Sequence, residues 1–121
     1  MKSGVTFTPK PTQLAESKVL ECYLAEHRDA PPMTRAIRIE VIAEFEPAAS
    51  WSKKRKAASL SGEESPVARP DLDNIVKLVT DALNGVAYKD DSQITSIGAR
   101  KVFAPVAALR VYLSEYPTST Q

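Results

Sequence analysis

The apolar positions of this chain fall into distinct rhythms. Over residues 36–45, "AIRIEVIAEF", Ile37, Ile39, Val41, Ala43 and Phe45 share one parity, and Arg38, Glu40 and Glu44 take the other. Side chains alternate between faces along an extended chain, so this period of two predicts a strand with one buried face. From Leu72 the spacing changes. Leu72, Ile75, Val76, Val79, Ala82 and Leu83 lie close to the i, i+3, i+4, i+7 pattern of an amphipathic helix, and Asn84-Gly85 offers its exit. The stretches "QITSIGARKVFA" and "VAALRVYLSEY" read as two more strands, with Pro105 between them and Gly98 as the expected mark of a bulge. Near the N-terminus, "TPKPTQLAESKVLECYLAEHRDAPP" predicts a helix bracketed by prolines. Thr12 is its candidate cap, Leu14, Ala15 and Cys22 are among its apolar residues, and Pro31 and Pro32 stop it. Between the first strand and the second helix, "EPAASWSKKRKAASLSGEESPVARP" has no clear period. It predicts a long loop with a short helix around "KKRKAASL", and long loops in small domains are often functional. The expected fold is α/β (α+β): one small domain over residues 1–121, with a mixed sheet of three or four strands packed against two main helices.

Composition narrows the class. A chain of 121 residues, 43% hydrophobic and 26% charged, suits one globular core. The formal net charge of +1 predicts no polyanion partner for the chain as a whole. The local balance is another matter. Between Pro47 and Pro70 stand five basic residues (Lys53, Lys54, Arg55, Lys56, Arg69) against two acids, and between Asp71 and Asp91 five acids against two lysines. Cys22 is the only cysteine and His27 the only histidine. An intrachain disulfide, a cysteine zinc cluster and a histidine-rich zinc site are therefore excluded. Cys22 reads as a small buried apolar residue and His27 as a helix C-terminal residue, neither of them catalytic. No apolar run approaches membrane-spanning length, and "MKSGVTFTPKPT" lacks the apolar centre of a signal peptide, so a cytoplasmic protein without membrane contact is expected.

The acidic block carries the candidate chemistry. Asp71 and Asp73 are two apart. That spacing separates side chains by about 200° on a helix but puts them on one side of an extended segment. Pro70 pushes Arg69 toward extended geometry. The expectation is an extended "PDLD" lead-in, a helix beginning near Asp73 with Asp73 as N-cap, and both carboxylates facing one cleft. Lys77 and Asp81 continue a polar stripe from Asp73 at spacings of four. Asp90 and Asp91 follow the helix exit, and a turn back along the helix could bring one of them to the first pair. Three converging carboxylates repel one another unless a cation joins them. A hard ion with oxygen ligands suits them, and magnesium best, since it binds one or two carboxylates, waters and phosphate oxygens. Such an ion activates water and stabilises charge on a phosphodiester, with Lys77 placed to offset charge or contact the scissile phosphate.

Plainer readings compete. Asp73 can simply cap a helix, Asp81 can pair with Lys77 in solvent, and Asp90-Asp91 can form an ordinary turn. An Asp-x-Asp nucleophile of phosphotransfer enzymes usually follows an apolar strand, and "PVARP" is not one. The basic run "SWSKKRK" suits a nucleic-acid backbone or mere solubility, and its position before the acids favours DNA. Trp51 either stacks on bases or folds onto the core.

The run "RPDLDNIVKLVTDALNGVAYKDDSQI" resembles the signature of the RusA family of Holliday-junction resolvases. The matching pieces are Asp71-Leu72-Asp73-Asn74, Lys77, Asp81-Ala82-Leu83 and Asp90-Asp91-Ser92-Gln93. "SWSKKRK" and "FTPKPT" extend the likeness more weakly over most of the chain. The resemblance implies a magnesium-dependent endonuclease, with manganese as an alternative ion. It would act as a homodimer on four-way DNA junctions in recombination and repair, without a small-molecule cofactor. By position, Asp71, Asp73 and Asp91 correspond to the metal-binding carboxylates and Lys77 to the essential lysine, while Lys53, Lys54, Arg55, Lys56 and Arg69 would guide DNA. Members of the family begin with a further strand ahead of the "TP" segment. Met1 lies only a few residues upstream of it here, which leaves open the completeness of the sheet, and with it the dimer and its DNA contacts, while the metal site lies wholly inside the chain. Two rivals stand beside the endonuclease. One is a junction-binding protein without catalysis, which the intact aspartates oppose. The other is a metal-dependent hydrolase of small phosphate esters, which the basic loop and the absence of a nucleotide-binding glycine motif oppose.

Overall fold

The computed structural model describes residues 5–7 and 15–116. In chain order they form β1 (Val5–Phe7), α1 (Glu16–His27), β2 (Ile37–Phe45), α2 (Lys53–Leu60), α3 (Leu72–Leu83), a 3-10 turn (Asp91–Gln93), β3 (Ile94–Phe103) and β4 (Ala108–Glu115). The strands make one mixed sheet in the order β1-β4-β2-β3. β2 runs parallel to β3 and antiparallel to β4, and β4 runs antiparallel to β1. A parallel neighbour demands a long crossover, and residues 46–93 supply it. That crossover holds α2, α3 and every acid of the candidate site.

The two periodic patterns explain the core. One parity of β2 (Ile37, Ile39, Val41 and Ala43) is buried, as are Leu109, Val111 and Leu113 of β4. Helix α3 lays Ile75, Val79, Ala82 and Leu83 on this face, and α1 adds Val19 and Tyr23. Full burial of each Val, Leu or Ile side chain stabilises by about 1.5–3 kcal/mol, so these residues make up most of the favourable energy. On the opposite face Arg110 pairs with Glu44 at 2.9 Å and Arg38 with Glu40 at 3.9 Å.

Three expectations need correcting. The bulge lies where Ile37 pairs with Ile94 and Arg38 with Ser96, not at Gly98, which pairs regularly with Glu40. Gly98 instead makes room: a Cβ there would stand 2.9 Å from Arg38 Nη2, and Arg38 crosses it to donate to Ser96 Oγ at 2.6 Å. Helix α1 starts at Glu16, after Ala15 in extended geometry, and Thr12 and Leu14 lie outside the described residues. Helix α3 starts at Leu72, so Asp71 holds the N-cap position and Asp73 sits inside the first turn. Pro70 constrains the residue before it, which leaves Asp71 free to open the helix. The sheet has four strands, the larger of the two numbers expected. β1 precedes the "TP" segment directly and pairs along β4, from Val5 opposite Leu113 to Phe7 opposite Val111.

The exit of α3 follows the sequence reading. Asn84 ends the helix and Gly85 takes φ +82°, a conformation that costs a residue with a Cβ. The chain then folds back, and Ala87 and Tyr88 are fully buried.

Candidate active site

The acids divide into two groups along α3. Asp71 and Asp73 stand at its N-terminus, both exposed. An aspartate at an N-cap ordinarily accepts a hydrogen bond from the first turn, yet the Asp71 side chain caps nothing. Neither carboxylate makes a hydrogen bond or ion pair with any described residue. Their charge is tolerated because the N-terminal end of a helix carries unsatisfied N–H groups and a partial positive charge.

The second group surrounds a residue that pattern reading missed. The buried Tyr88 hydroxyl lies 2.9 Å from Asp91 Oδ1 and 2.8 Å from the Thr80 carbonyl oxygen, so one phenolic proton serves two acceptors. Burial pushes the Tyr88 phenol up from its ordinary value. The hydrogen bond to Asp91 and the charges of Asp91, Asp81 and Asp90 push it further the same way. Tyr88 thus ties Asp91 to the Thr80 turn of α3. Thr80 lies seven residues beyond Asp73, about 10 Å along the helix at ~1.5 Å per residue. Among the described residues no three of His, Cys, Asp and Glu are grouped so as to hold one metal ion. The three-carboxylate convergence expected from the sequence is therefore not assembled in this structure. What the chain presents is a pair of unpartnered hard oxygen donors, Asp71 and Asp73. Magnesium takes as few as one or two carboxylates and completes its shell with water and phosphate.

The remaining motif residues have identifiable work. Lys77 donates to Asp81 Oδ2 at 3.2 Å, so Asp81 is the solvated partner the spacing suggested. The Lys77 side chain is 73% exposed and can leave that pair at little cost. Asp90 caps the 3-10 turn by accepting from the Ser92 N–H, and hydrogen bonding from the Ser92 side chain and then its backbone holds the Asp90 carboxyl below the usual range. Gln93 Oε1 accepts from the Asp90 N–H and completes a capping box. The Gln93 amide also donates to the carbonyls of Met33 and Arg35, at 2.9 Å each. The "Asp-Asp-x-Gln" run therefore fastens the turn to the segment entering β2. Its spacing is that of a capping box, a signal that could have been read from sequence.

The basic run forms α2, as expected, with the Ser52 hydroxyl accepting from the Arg55 N–H at 3.2 Å. Its residues do not act alike. Arg55 makes two hydrogen bonds to Glu64, at 2.8 and 3.2 Å, and its guanidinium lies 3.6 Å from the Trp51 ring centroid. Trp51 in turn meets Phe103 edge-on, with centroids 5.4 Å apart. Trp51 is half-buried at the end of the sheet, between the two roles considered for it. Lys53, Lys54, Lys56 and Arg69 make no side-chain ion pair with any described residue. Three lysines at the start of an eight-residue helix oppose its dipole, a local cost that an anion would remove.

The family model described as "Endodeoxyribonuclease RusA" matches residues 1–114. A Bacillus subtilis (strain 168) protein named "Uncharacterized protein YqaN" is 34% identical over 107 residues, covering 84% of this chain and 75% of that one. The chain belongs to the RusA endodeoxyribonuclease family. None of the described helices is long and apolar enough to cross a membrane.

Proposed function

We propose that this protein is a magnesium-dependent endonuclease that resolves four-way DNA junctions by paired symmetric nicks, in recombination and repair. The observation that carries the reading is the unpartnered pair Asp71 and Asp73 at the start of α3, with Asp71 two residues after Arg69, in a chain of this family. Asp71 and Asp73 would hold the magnesium ion, for which manganese is the alternative. Bound there, the ion would supply activation of water and neutralisation of phosphate charge. Lys53, Lys54, Lys56 and Arg69 hold the sugar–phosphate backbone, while Arg55 shapes the loop that presents them. Lys77, released from Asp81, reaches the phosphate whose charge grows during cleavage. Asp91, restrained by Tyr88, is assigned to the same site by the family pattern alone. A homodimer would place two such sites about a two-fold axis, matching two nicks.

The test is cleavage of a labelled four-way junction over a magnesium series, beside a duplex and a generic phosphate ester. Metal-dependent cutting of the junction supports the reading. Binding without cutting favours a junction-binding protein, and turnover of the ester with inertness toward DNA favours a small-ester hydrolase.

A further inference from the structure

We propose that the cavity between α2 and the ends of β2 and β3 receives one unstacked nucleobase of the DNA strand that reaches Asp71 and Asp73. The proposal rests on the endonuclease reading above and adds a binding site for a part of the substrate that the carboxylates do not touch.

The cavity measures about 310 Å3, at the lower end of the ~300–1,000 Å3 typical of small-ligand sites. Its wall contains the rings of Phe45, Trp51 and Phe103 and the guanidinium of Arg55. Bases stack on aromatic rings and on guanidinium planes alike. The wall is braced before any ligand arrives: Glu64 holds Arg55 against Trp51, and Phe103 meets Trp51 from the sheet. Val67, 94% exposed, stands at the lip.

The charges in the wall are mixed: Arg55 and Glu64 pair with each other, and Glu46 stands there with Arg69. Arg69 lines the cavity, and Lys101 lies 5.6 Å from the Phe45 ring centroid. Lys53, Lys54 and Lys56 share the helix of Arg55. An aromatic slot with Arg69 in its wall, and three lysines on the helix that supplies Arg55, fits a base attached to phosphate. Position then links the slot to the chemistry. Arg69 is two residues before Asp71, a chain separation of at most roughly 7 Å. Arg69 thus joins the cavity wall to the segment that carries the carboxylates, so one strand can reach both. Extracting a base costs least where it is already unpaired, and bases at a branch point are closest to that state. The cavity thus gives this protein a reason to prefer branched DNA over duplex.

Trp51 is the only tryptophan, so its fluorescence reports on this wall alone. The protein is titrated with a short single-stranded oligonucleotide and, separately, with an abasic sugar–phosphate chain of equal length. The oligonucleotide is expected to quench Trp51 and to bind about tenfold more tightly than the abasic chain, the contribution of a stacked base. The abasic chain should bind through phosphates and leave the emission unchanged. Trp51→Ala should bring oligonucleotide affinity down to the abasic level, and Trp51→Phe, which keeps a ring, should restore most of it. Equal affinity for both chains, or oligonucleotide binding with silent Trp51 emission, would overturn the proposal. So would an emission change that follows protein concentration without DNA, since a second copy would then fill the cavity. Junction cleavage with a silent Trp51 would sink this inference alone, whereas no DNA binding and no cleavage would sink the endonuclease reading with it.

Discussion

The Tyr88 hydroxyl faces Asp91 Oδ1 at 2.9 Å from inside the protein, where its ring is fully buried. This hydrogen bond links the folded core to an acid of the candidate site. Tyr88→Phe removes it without opening a cavity. The loss should be about 1 kcal/mol, the usual net worth of such a hydrogen bond, measured by urea denaturation. No loss would mean that water replaces the hydroxyl at both acceptors.

The same residue sets an alkaline limit. Its phenol is raised in the folded protein by burial and by the surrounding acids, so the unfolded chain ionises first. Its contribution to stability is fully present below the unfolded value, near pH 10, and is lost as pH rises beyond that. Tyr23, also raised by burial, adds to the effect. Between pH 9 and pH 11, at roughly one pH unit either side of that value, stability should fall in the unmodified protein and fall less steeply in Tyr88→Phe. Parallel curves would show that Tyr88 does not sense the change.

Asp71→Asn and Asp73→Asn should separate activity from stability. Neither carboxylate has a partner among the described residues, so both variants should keep their stability within about 0.5 kcal/mol. Cleavage should fall by at least about a hundredfold if these oxygens hold the ion. Lys77→Ala gives up an exposed pair worth about 0.3–0.5 kcal/mol and should lose activity on a similar scale. A variant that unfolds would show that its residue was structural.

The basic residues should behave in two ways. Arg55→Ala removes the Glu64 pair and the stacking on Trp51, and should lower the midpoint of urea denaturation. Replacing Lys53, Lys54 and Lys56 by Ala should cost no stability, since it relieves charge at the wrong end of α2. It should weaken DNA binding and flatten its salt dependence, by about 0.9 in the log–log slope for each phosphate that is no longer neutralised. An unchanged slope would place DNA elsewhere on the surface.

How much of this was legible in the sequence depended on whether local pattern or long-range packing decided the outcome. The strict parity of β2 and the helical spacing from Leu72 to Leu83 announced themselves because burial on one face imposes its period directly. The roles of Asp71 and Asp73 were half legible: the residues stand out by their spacing, but the helix begins earlier than the proline argument suggests. The role of Gly98 was hidden, because its reason is a side chain, Arg38, on the neighbouring strand. Tyr88 was hidden for the same cause. Its partners, Thr80 and Asp91, meet only after Gly85 reverses the chain. Asp90 and Gln93 could have been read as a capping box, but their carboxylate company drew attention to charge instead.

The most direct test of the central claim is strand-by-strand mapping of a four-way junction in magnesium, with each strand labelled in turn, for the unmodified protein and Asp73→Asn. The account predicts nicks at symmetry-related positions in two opposing strands. It also predicts their loss in Asp73→Asn, which should still fold and still bind the junction. Tight binding by the unmodified protein without any nick, or equal cutting by Asp73→Asn, would contradict it.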